Sequence, residues 1–546
     1  MVDDIRTRGA TSRLVTAGFW MQVLAVGLVT LGVRLAYVQP TMHFDEGYHI
    51  LAARSLNSDG TLRLAPESPV PYDRAWLYTR AVAASFEAFG ESLFTARLPS
   101  LVSAVLLGCC LFYWVCRRAG PIAGWVSAGM YIFAADQINY AALSRFYMAQ
   151  SLLIFIAAIA VYHAVRPDAK RWSQAAAAPI GLAALALAYH LQLTTLVSAA
   201  ALAVWAAAVV LGRYVVAGGP TGRPARIGVA AGVVAALGGA AAAAWAAGVL
   251  DPYWAKYCYV AEWAVEASGD RGFYLRDLWR GWGLFALAWP VAAVIALRQF
   301  WRPASLCVSV FVMVVAIQSC GGMKESRYLA PAIPLFLATW GFAAAALIPA
   351  VPAVHRSLGR VAGRVLPSDG ARTSAVAAAW VAAWVAAGLV VLAAGYKTRN
   401  FYVSGVVLRT QGQVEWHPYR EADYAAAASA LRPLLSDAGR VLLASEPPPV
   451  TYFLRRPDIA LSDSLIEGRE QWDLHPAIGL PAISSVDAVR RVMAEHDRGL
   501  ILVDDLRWRA PWSVPDETAD YIEAHTTAID LPERTEIKAF KWGSDA

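Results

Sequence analysis

The sequence predicts a mainly α-helical protein: a polytopic bundle of membrane-spanning helices followed by a small α/β domain. Three observations predict it. Only 16% of the 546 residues are charged and 58% are hydrophobic, whereas a soluble domain carries roughly 25% charged residues. Apolar runs recur at close to the ~20 residues that cross a bilayer as one helix. Residues 397–546 lose that character and alternate short helical with strand-like patterns.

The net charge of +6 does not point to nucleic acid, because surplus Arg and Lys in a membrane protein collects in cytoplasmic loops. The expected surroundings are a lipid bilayer. Cys109, Cys110, Cys116, Cys258, Cys307 and Cys320 form no C-x-x-C pair and mostly fall in apolar runs, as small core residues do. Met1 to Arg13 is polar with three arginines. The apolar stretch after it is long and lacks a small-residue cleavage site, so it reads as a retained first span.

Candidate spans run at 15–37, 98–115, 120–135, 146–165, 175–190, 193–212, 227–249, 282–297, 304–319, 328–350 and 374–396, about eleven in all. With the N-terminus inside, the inner connections carry Arg117 and Arg118, then Arg166, Lys170 and Arg171, then Arg213, Arg223 and Arg226, then Arg298 and Arg302, then Arg356, Arg360, Arg364 and Arg372. Every one is basic, as the positive-inside rule requires. The odd count puts the C-terminal region outside. The expected location is therefore the plasma membrane, multi-pass, with a cytoplasmic N-terminus. Residues 1–396 form the membrane domain, with a first outer loop at 38–97, and residues 397–546 form the extracytoplasmic domain.

In that C-terminal region Tyr419 to Leu435, Val450 to Arg455 and Val486 to Glu495 read as helices, and Arg440 to Ala444 and Leu500 to Val503 as strands, some of them parallel. It holds no Gly-rich phosphate loop, and no cofactor is assigned to it. The loop at 250–280 mixes aromatics with charge and reads as an interface belt.

The chemistry concentrates in the first outer loop. His43-Phe44-Asp45-Glu46-Gly47-Tyr48-His49 sets adjacent carboxylates beside the bilayer, where charge is costly unless solvated or functional. Asp45 as a helix N-cap with Glu46 in the first turn is a compatible reading. Tyr72 to Thr79 opens an amphipathic stretch that ends at Phe89-Gly90, so two interfacial helices are expected in this loop. Arg97, at the mouth of the second span, reads as an interfacial anchor. Arg145, Lys324 and Arg327 lie in short outer connections where basic residues are disfavoured. An anionic ligand explains them; an ion pair with Glu325 or contact with lipid headgroups is the alternative.

These segments, in order, resemble the GT-C glycosyltransferases of the protein O-mannosyltransferase and aminoarabinose-lipid A transferase type. The likeness rests on Asp45-Glu46, the aromatic-basic-Leu-Tyr segment with Arg74 and Tyr78, Phe89-Gly90-Glu91-Ser92, Arg97-Leu98-Pro99-Ser100, Leu143 to Met148, and Lys324 to Pro331. It covers roughly residues 15 to 350. The resemblance implies an inverting transfer of a sugar from a polyprenyl-phosphate-linked donor to a hydroxyl of an acceptor glycan, lipid or protein. Such a displacement needs a base for the acceptor proton and cations for the departing phosphate.

By resemblance, Asp45 is the base and Glu46 orients the acceptor or supports Asp45. Arg74 stands where many relatives have a lysine facing the donor phosphate, and Arg145, Lys324 and Arg327 complete the cationic set. His43, Tyr48, His49, Tyr78 and Tyr328 are expected to line the substrate site. The chain departs from the lipid A transferases at Ser144-Arg145-Phe146, where those enzymes have an acidic residue that helps to bind a metal; Asp136 is nearby at a different spacing. His43, Asp45 and His49 invite a metal reading, but isolated interfacial histidines are more often hydrogen-bonded surface residues. No metal is assigned, with a divalent ion as the weaker alternative. The competing readings are a secondary transporter, which predicts internal repeats and midplane charges, and a catalytically silent lipid-binding scaffold.

Overall fold

The computed structural model describes residues 2–38, 41–166, 170–213, 242–258, 268–348 and 422–543, apart from 437, 438, 467, 506 and 534, together with 232, 235, 238 and 239. The first nine helices are α1 (Val2–Leu35), α2 (Phe44–Asp59), α3 (Trp76–Phe89), α4 (Leu93–Ala119), α5 (Pro121–Ile132), α6 (Ala135–Ala141), α7 (Tyr147–Val165), α8 (Arg171–Leu191) and α9 (Thr195–Leu211). Among the described residues, five helices are long and apolar enough to cross a membrane: Ala17–Leu35 within α1, α4, α7, Trp172–Leu191 within α8, and Trp301–Cys320. Phe273–Trp282 and Leu284–Gln299 make a sixth if counted as one span bent by 102°. The bend is at Gly283, whose φ of 48° with ψ of −122° suits a residue without a Cβ.

Several expected spans are shorter than the apolar runs that suggested them. The run at 120–135 becomes a helix of 12 residues, bounded by Gly120-Pro121 and by a break before α6. The run at 328–350 becomes Ile333–Leu347, because Ser326–Leu329 forms a 3₁₀ turn and the helix begins only after Pro331, with Pro334 in its first turn. The expected span at 374–396 and about half of the one at 227–249 lie outside the described residues.

The bundle core gathers Leu111, Trp114, Tyr131, Phe155, Trp205, Trp289, Phe336 and Phe342, all buried. Close packing of this kind fixes α4, α5 and α7, and the site is built on the ends of these helices nearest α2. Pro99 inside α4 has no N–H for the Thr95 carbonyl. Ser85 Oγ on α3 donates to that oxygen instead, at 2.6 Å. One residue on, Ser144 Oγ donates to Ala96 O at 2.8 Å, so the proline step ties α3 and the α6–α7 connection to one corner.

The C-terminal domain is a six-stranded sheet of order β3-β2-β1-β4-β6-β5. β1 (Val441–Ala444), β2 (Ile459–Leu461), β3 (Ala482–Ile483) and β4 (Gly499–Asp504) are parallel; β6 (Ile537–Trp542) runs antiparallel to β4 and to β5 (Thr527–Ala528). Leu443 and Ile501 pack on one face with Val489 and Ile522. Leu442 and Leu502 pack on the other with Leu431 and Val450. Both faces are covered, as parallel strands require.

This domain seats on α2 and the segment between α2 and α3. The helix Pro447–Phe453 packs against α2 so closely that a Cβ at Gly47 would lie 2.7 Å from Pro448 Cβ. Leu51, Leu64 and Tyr72 share a buried cluster with Ile466, Ile478 and Leu480, and Arg456 Nη1 meets Glu67 Oε2 at 2.5 Å.

Candidate active site

The first turn of α2 organises the site. His43 is its N-cap: Nδ1 accepts from Asp45 N at 3.1 Å, while Glu46 Oε2 accepts from His43 N at 3.0 Å. The capping box is thus closed by His43 and Glu46, and Asp45 does not cap the helix. Burial pushes the His43 pKa down to about 4, so its ring is neutral with the proton on Nε2.

The two carboxylates point to different surroundings. Glu46 is fully buried and takes a fork from Arg97, Nε to Oε1 at 2.9 Å and Nη2 to Oε2 at 2.7 Å. Ser144 N also donates to Oε1. Burial alone disfavours its charge, but Arg97 and the amides of Ser144 and His43 outweigh it and hold the carboxyl below its ordinary value. Arg97, 1% exposed, is therefore an interior partner of Glu46, not an interfacial anchor. A span of 51 residues separates the pair, so nothing local in the sequence signals it.

Asp45 is 8% exposed. Arg145 Nη2 at 3.2 Å and Arg327 Nη1 at 3.0 Å both converge on its Oδ2. Oδ1 makes no hydrogen bond among the described residues. Burial opposes ionisation here too, and Arg145 and Arg327 override it, aided by His43 and Arg74; the carboxyl lies far below the usual carboxylate range. Arg145 is held by its own Nη1 bond to Asp45 O at 2.9 Å and by Tyr147 Oη at 3.0 Å. Its carbonyl accepts from Ser100 Oγ at 2.7 Å, and Tyr78 Oη in turn donates to Ser100 Oγ at 2.7 Å. The Arg97-Leu98-Pro99-Ser100 segment therefore aims two arginines, one directly and one through a carbonyl.

Of the remaining sequence candidates, Arg74 is exposed, close enough to act on Asp45, and has no hydrogen bond or ion pair among the described residues. Arg327 also meets Glu325 Oε1 at 3.4 Å, with its guanidinium 6.0 Å from the Tyr328 ring centre. Tyr78 is occupied by Ser100. Tyr48 stacks on Tyr72 at 5.9 Å. His49 Nδ1 pairs with Thr79 Oγ1 at 2.9 Å, while Nε2 is buried without a partner among the described residues; burial, with Arg145 and Arg74 nearby, pushes its pKa well down.

Lys324 is not part of this cluster: its ammonium donates to Ser268 O at 2.5 Å and Gly321 O at 2.7 Å. Asp136 sits on α6, and burial pushes its carboxyl up to about 6. Among the described residues, no three His, Cys, Asp or Glu side chains gather closely enough to hold a metal ion.

No family model matches the sequence, and no curated protein matches it. Solved structures do. ArnT from Cupriavidus metallidurans bound to undecaprenyl phosphate superposes with a TM-score of 0.58 at 16% identity, covering 96% of this chain and 98% of that one. Its apo state gives the same values. The archaeal oligosaccharyltransferase AglB from Archaeoglobus fulgidus, in complex with an inhibitory peptide and a dolichol-phosphate, gives 0.55 at 10% identity over 93% of this chain and 72% of that one. At such identities the likeness is one of fold, and this chain has the ArnT-like fold, a bundle of apolar helices with a small C-terminal sheet region.

Proposed function

We propose that the protein is an integral membrane glycosyltransferase that moves a sugar from a polyprenyl-phosphate donor to an acceptor hydroxyl at the outer membrane face, with inversion. Asp45 takes the acceptor proton. The acceptor oxygen bonds to the anomeric carbon as the bond from that carbon to the phosphate oxygen breaks, and the polyprenyl phosphate leaves with the electron pair.

One observation carries the reading: two arginines grip a single oxygen of Asp45, and the other oxygen has no hydrogen bond among the described residues. Oδ1 is available to a hydroxyl. Arg327, with Arg74, which is exposed and has no ion pair among the described residues, is available to a phosphate, and the buried Arg145 would meet one by loosening its hold on Asp45. A phosphate sharing those guanidiniums would weaken their hold on Asp45, so the same ligand that needs a base nearby makes Asp45 a better one. Lys324 would join the phosphate only by leaving the Ser268 and Gly321 carbonyls.

The test offers the protein, reconstituted in lipid, a panel of undecaprenyl-phosphate sugars with an envelope lipid extract as acceptor. Transfer by the wild type that is lost in Asp45→Asn, with undecaprenyl phosphate binding retained, supports the assignment. No binding of any lipid-phosphate sugar sinks it. Transfer that survives Asp45→Asn removes Asp45 as the base.

A further inference from the structure

The C-terminal sheet has its topological switch point between β1 and β4. From β1 the chain winds outward through β2 and β3, then returns to place β4 on the other side of β1. In open α/β sheets the crevice at the carboxyl ends of such a strand pair is where ligands bind. Here those ends lead into Ser445-Glu446 and Asp504 to Arg507, and they face the first turn of α2.

What stands there is a prepared polar pair in aromatic surroundings. Glu446 Oε1 pairs with Arg507 Nε. The Arg507 guanidinium lies 5.1 Å from the Phe44 ring centre and 5.0 Å from that of Trp512. Its two terminal nitrogens make no hydrogen bond among the described residues. The second Glu446 oxygen likewise has no donor among them. Phe44, under the Arg507 guanidinium, is the residue before Asp45, so the pair stands beside the turn that carries that carboxylate. Burial, with Asp504 and Asp45 nearby, pushes the Glu446 carboxyl up, and the Arg507 guanidinium paired with it pulls it down and favours the carboxylate.

We infer that Glu446 and Arg507 form a binding site for the vicinal hydroxyls of a neutral sugar on the acceptor side of Asp45. The pairing favours this class of ligand. A carboxylate beside the guanidinium removes most of the net attraction that an anion would feel, whereas a diol can accept from the Arg507 η nitrogens and donate to Glu446. The rings of Phe44 and Trp512 supply apolar faces of the kind that sugar C–H groups cover. That the bound sugar is the acceptor rests on the transfer reaction proposed above; the binding itself does not.

The experiment is saturation-transfer NMR on the full chain in nanodiscs with methyl mannoside, methyl galactoside and methyl glucoside. Undecaprenyl phosphate binding is measured separately on the same samples. At least one glycoside is expected to bind the wild type and to weaken by about tenfold or more in Arg507→Met, which keeps the aliphatic stem but loses the donors. Glu446→Gln is expected to weaken it as well; being isosteric, it serves if thermal unfolding reveals that Arg507→Met is misfolded. No glycoside binding to the wild type, or equal binding in a folded variant, overturns the inference. Displacement of the glycoside by inorganic phosphate also overturns it, marking an anion site. Glycoside binding without undecaprenyl phosphate binding would fail the donor reading and leave this site standing; the reverse result would fail the site alone.

Discussion

Asp45 and Glu46 are consecutive in sequence, yet they occupy opposite kinds of environment. Glu46 is met by four donors that together satisfy both oxygens, the two-pronged fork of Arg97 and the amides of Ser144 and His43. Asp45 has two guanidiniums on one oxygen and none on the other. A carboxylate with every lone pair matched holds a structure together and offers nothing to a substrate. A carboxylate with one satisfied oxygen and one open oxygen is oriented and still reactive. The lesson is that carboxylate chemistry here follows from unmatched lone pairs, not from the presence of charge.

The sharpest way to break that contrast is to remove each charge by an isosteric change. Asp45→Asn is expected to lower the transfer rate by about 10²–10⁴-fold, the usual reach of a general base, while the protein still folds with a lower thermal midpoint, since Arg145 keeps its bonds to the Asp45 carbonyl and Tyr147 but loses a counter-charge. Glu46→Gln is expected to act on the fold first. It leaves Arg97 buried and without its counter-charge, a change that costs about 3–5 kcal/mol for buried pairs, read as a lower thermal midpoint and poor yield. If Glu46→Gln folds normally and only turnover falls, the two roles are misassigned.

Much of this was legible in the sequence, for physical reasons. Long apolar runs report spans directly, because backbone in lipid must be satisfied within the helix. The helix Val486–Glu495 is found at its expected bounds, since Ser485 caps it and its apolar positions follow one face. Asp45, Arg145 and Arg327 stood out because charges at a membrane edge need a reason, and Arg74 stood out only through the resemblance. The Glu46–Arg97 fork was not legible, since its partners come from α2 and α4 and meet only in the folded bundle. Lys324 looked identical to Arg327 in sequence; three residues apart, one turns toward Asp45 and the other toward two carbonyls, a choice made by the 3₁₀ turn at Ser326–Leu329. Glu446 and Arg507 stayed hidden for another reason: strand order, unlike strand existence, has no local signature.

Acidification sharpens the comparison without mutation of Glu46. The folded carboxyl of Asp45 is depressed below its ordinary value of 3.8, so the stability it draws from Arg145 and Arg327 is fully present above that value. It is lost only as the pH falls through the lower, folded value. The gap in thermal midpoint between wild type and Asp45→Asn is therefore expected to stay constant from about pH 8 to about pH 5 and to close only in stronger acid. A gap that closes near neutrality would mean that the two arginines do not grip Asp45 in the membrane.

Arg74 carries the smallest effect and separates a cation aimed at a ligand from one that holds the fold. It is exposed and has no ion pair among the described residues, so Arg74→Ala leaves no buried group unpaired and the thermal midpoint is expected to stay where it is. If Arg74 meets the donor phosphate, undecaprenyl phosphate binding weakens by roughly tenfold or less, the size suited to one solvent-screened contact, and the loss shrinks as salt is raised. Arg74→Lys keeps the charge and loses the planar fork, so recovery in that variant marks a charge contact and no recovery marks a bidentate one. Unchanged binding in Arg74→Ala at low salt would remove Arg74 from the phosphate site and leave Arg145 and Arg327, the two guanidiniums on Asp45 Oδ2, as its cations.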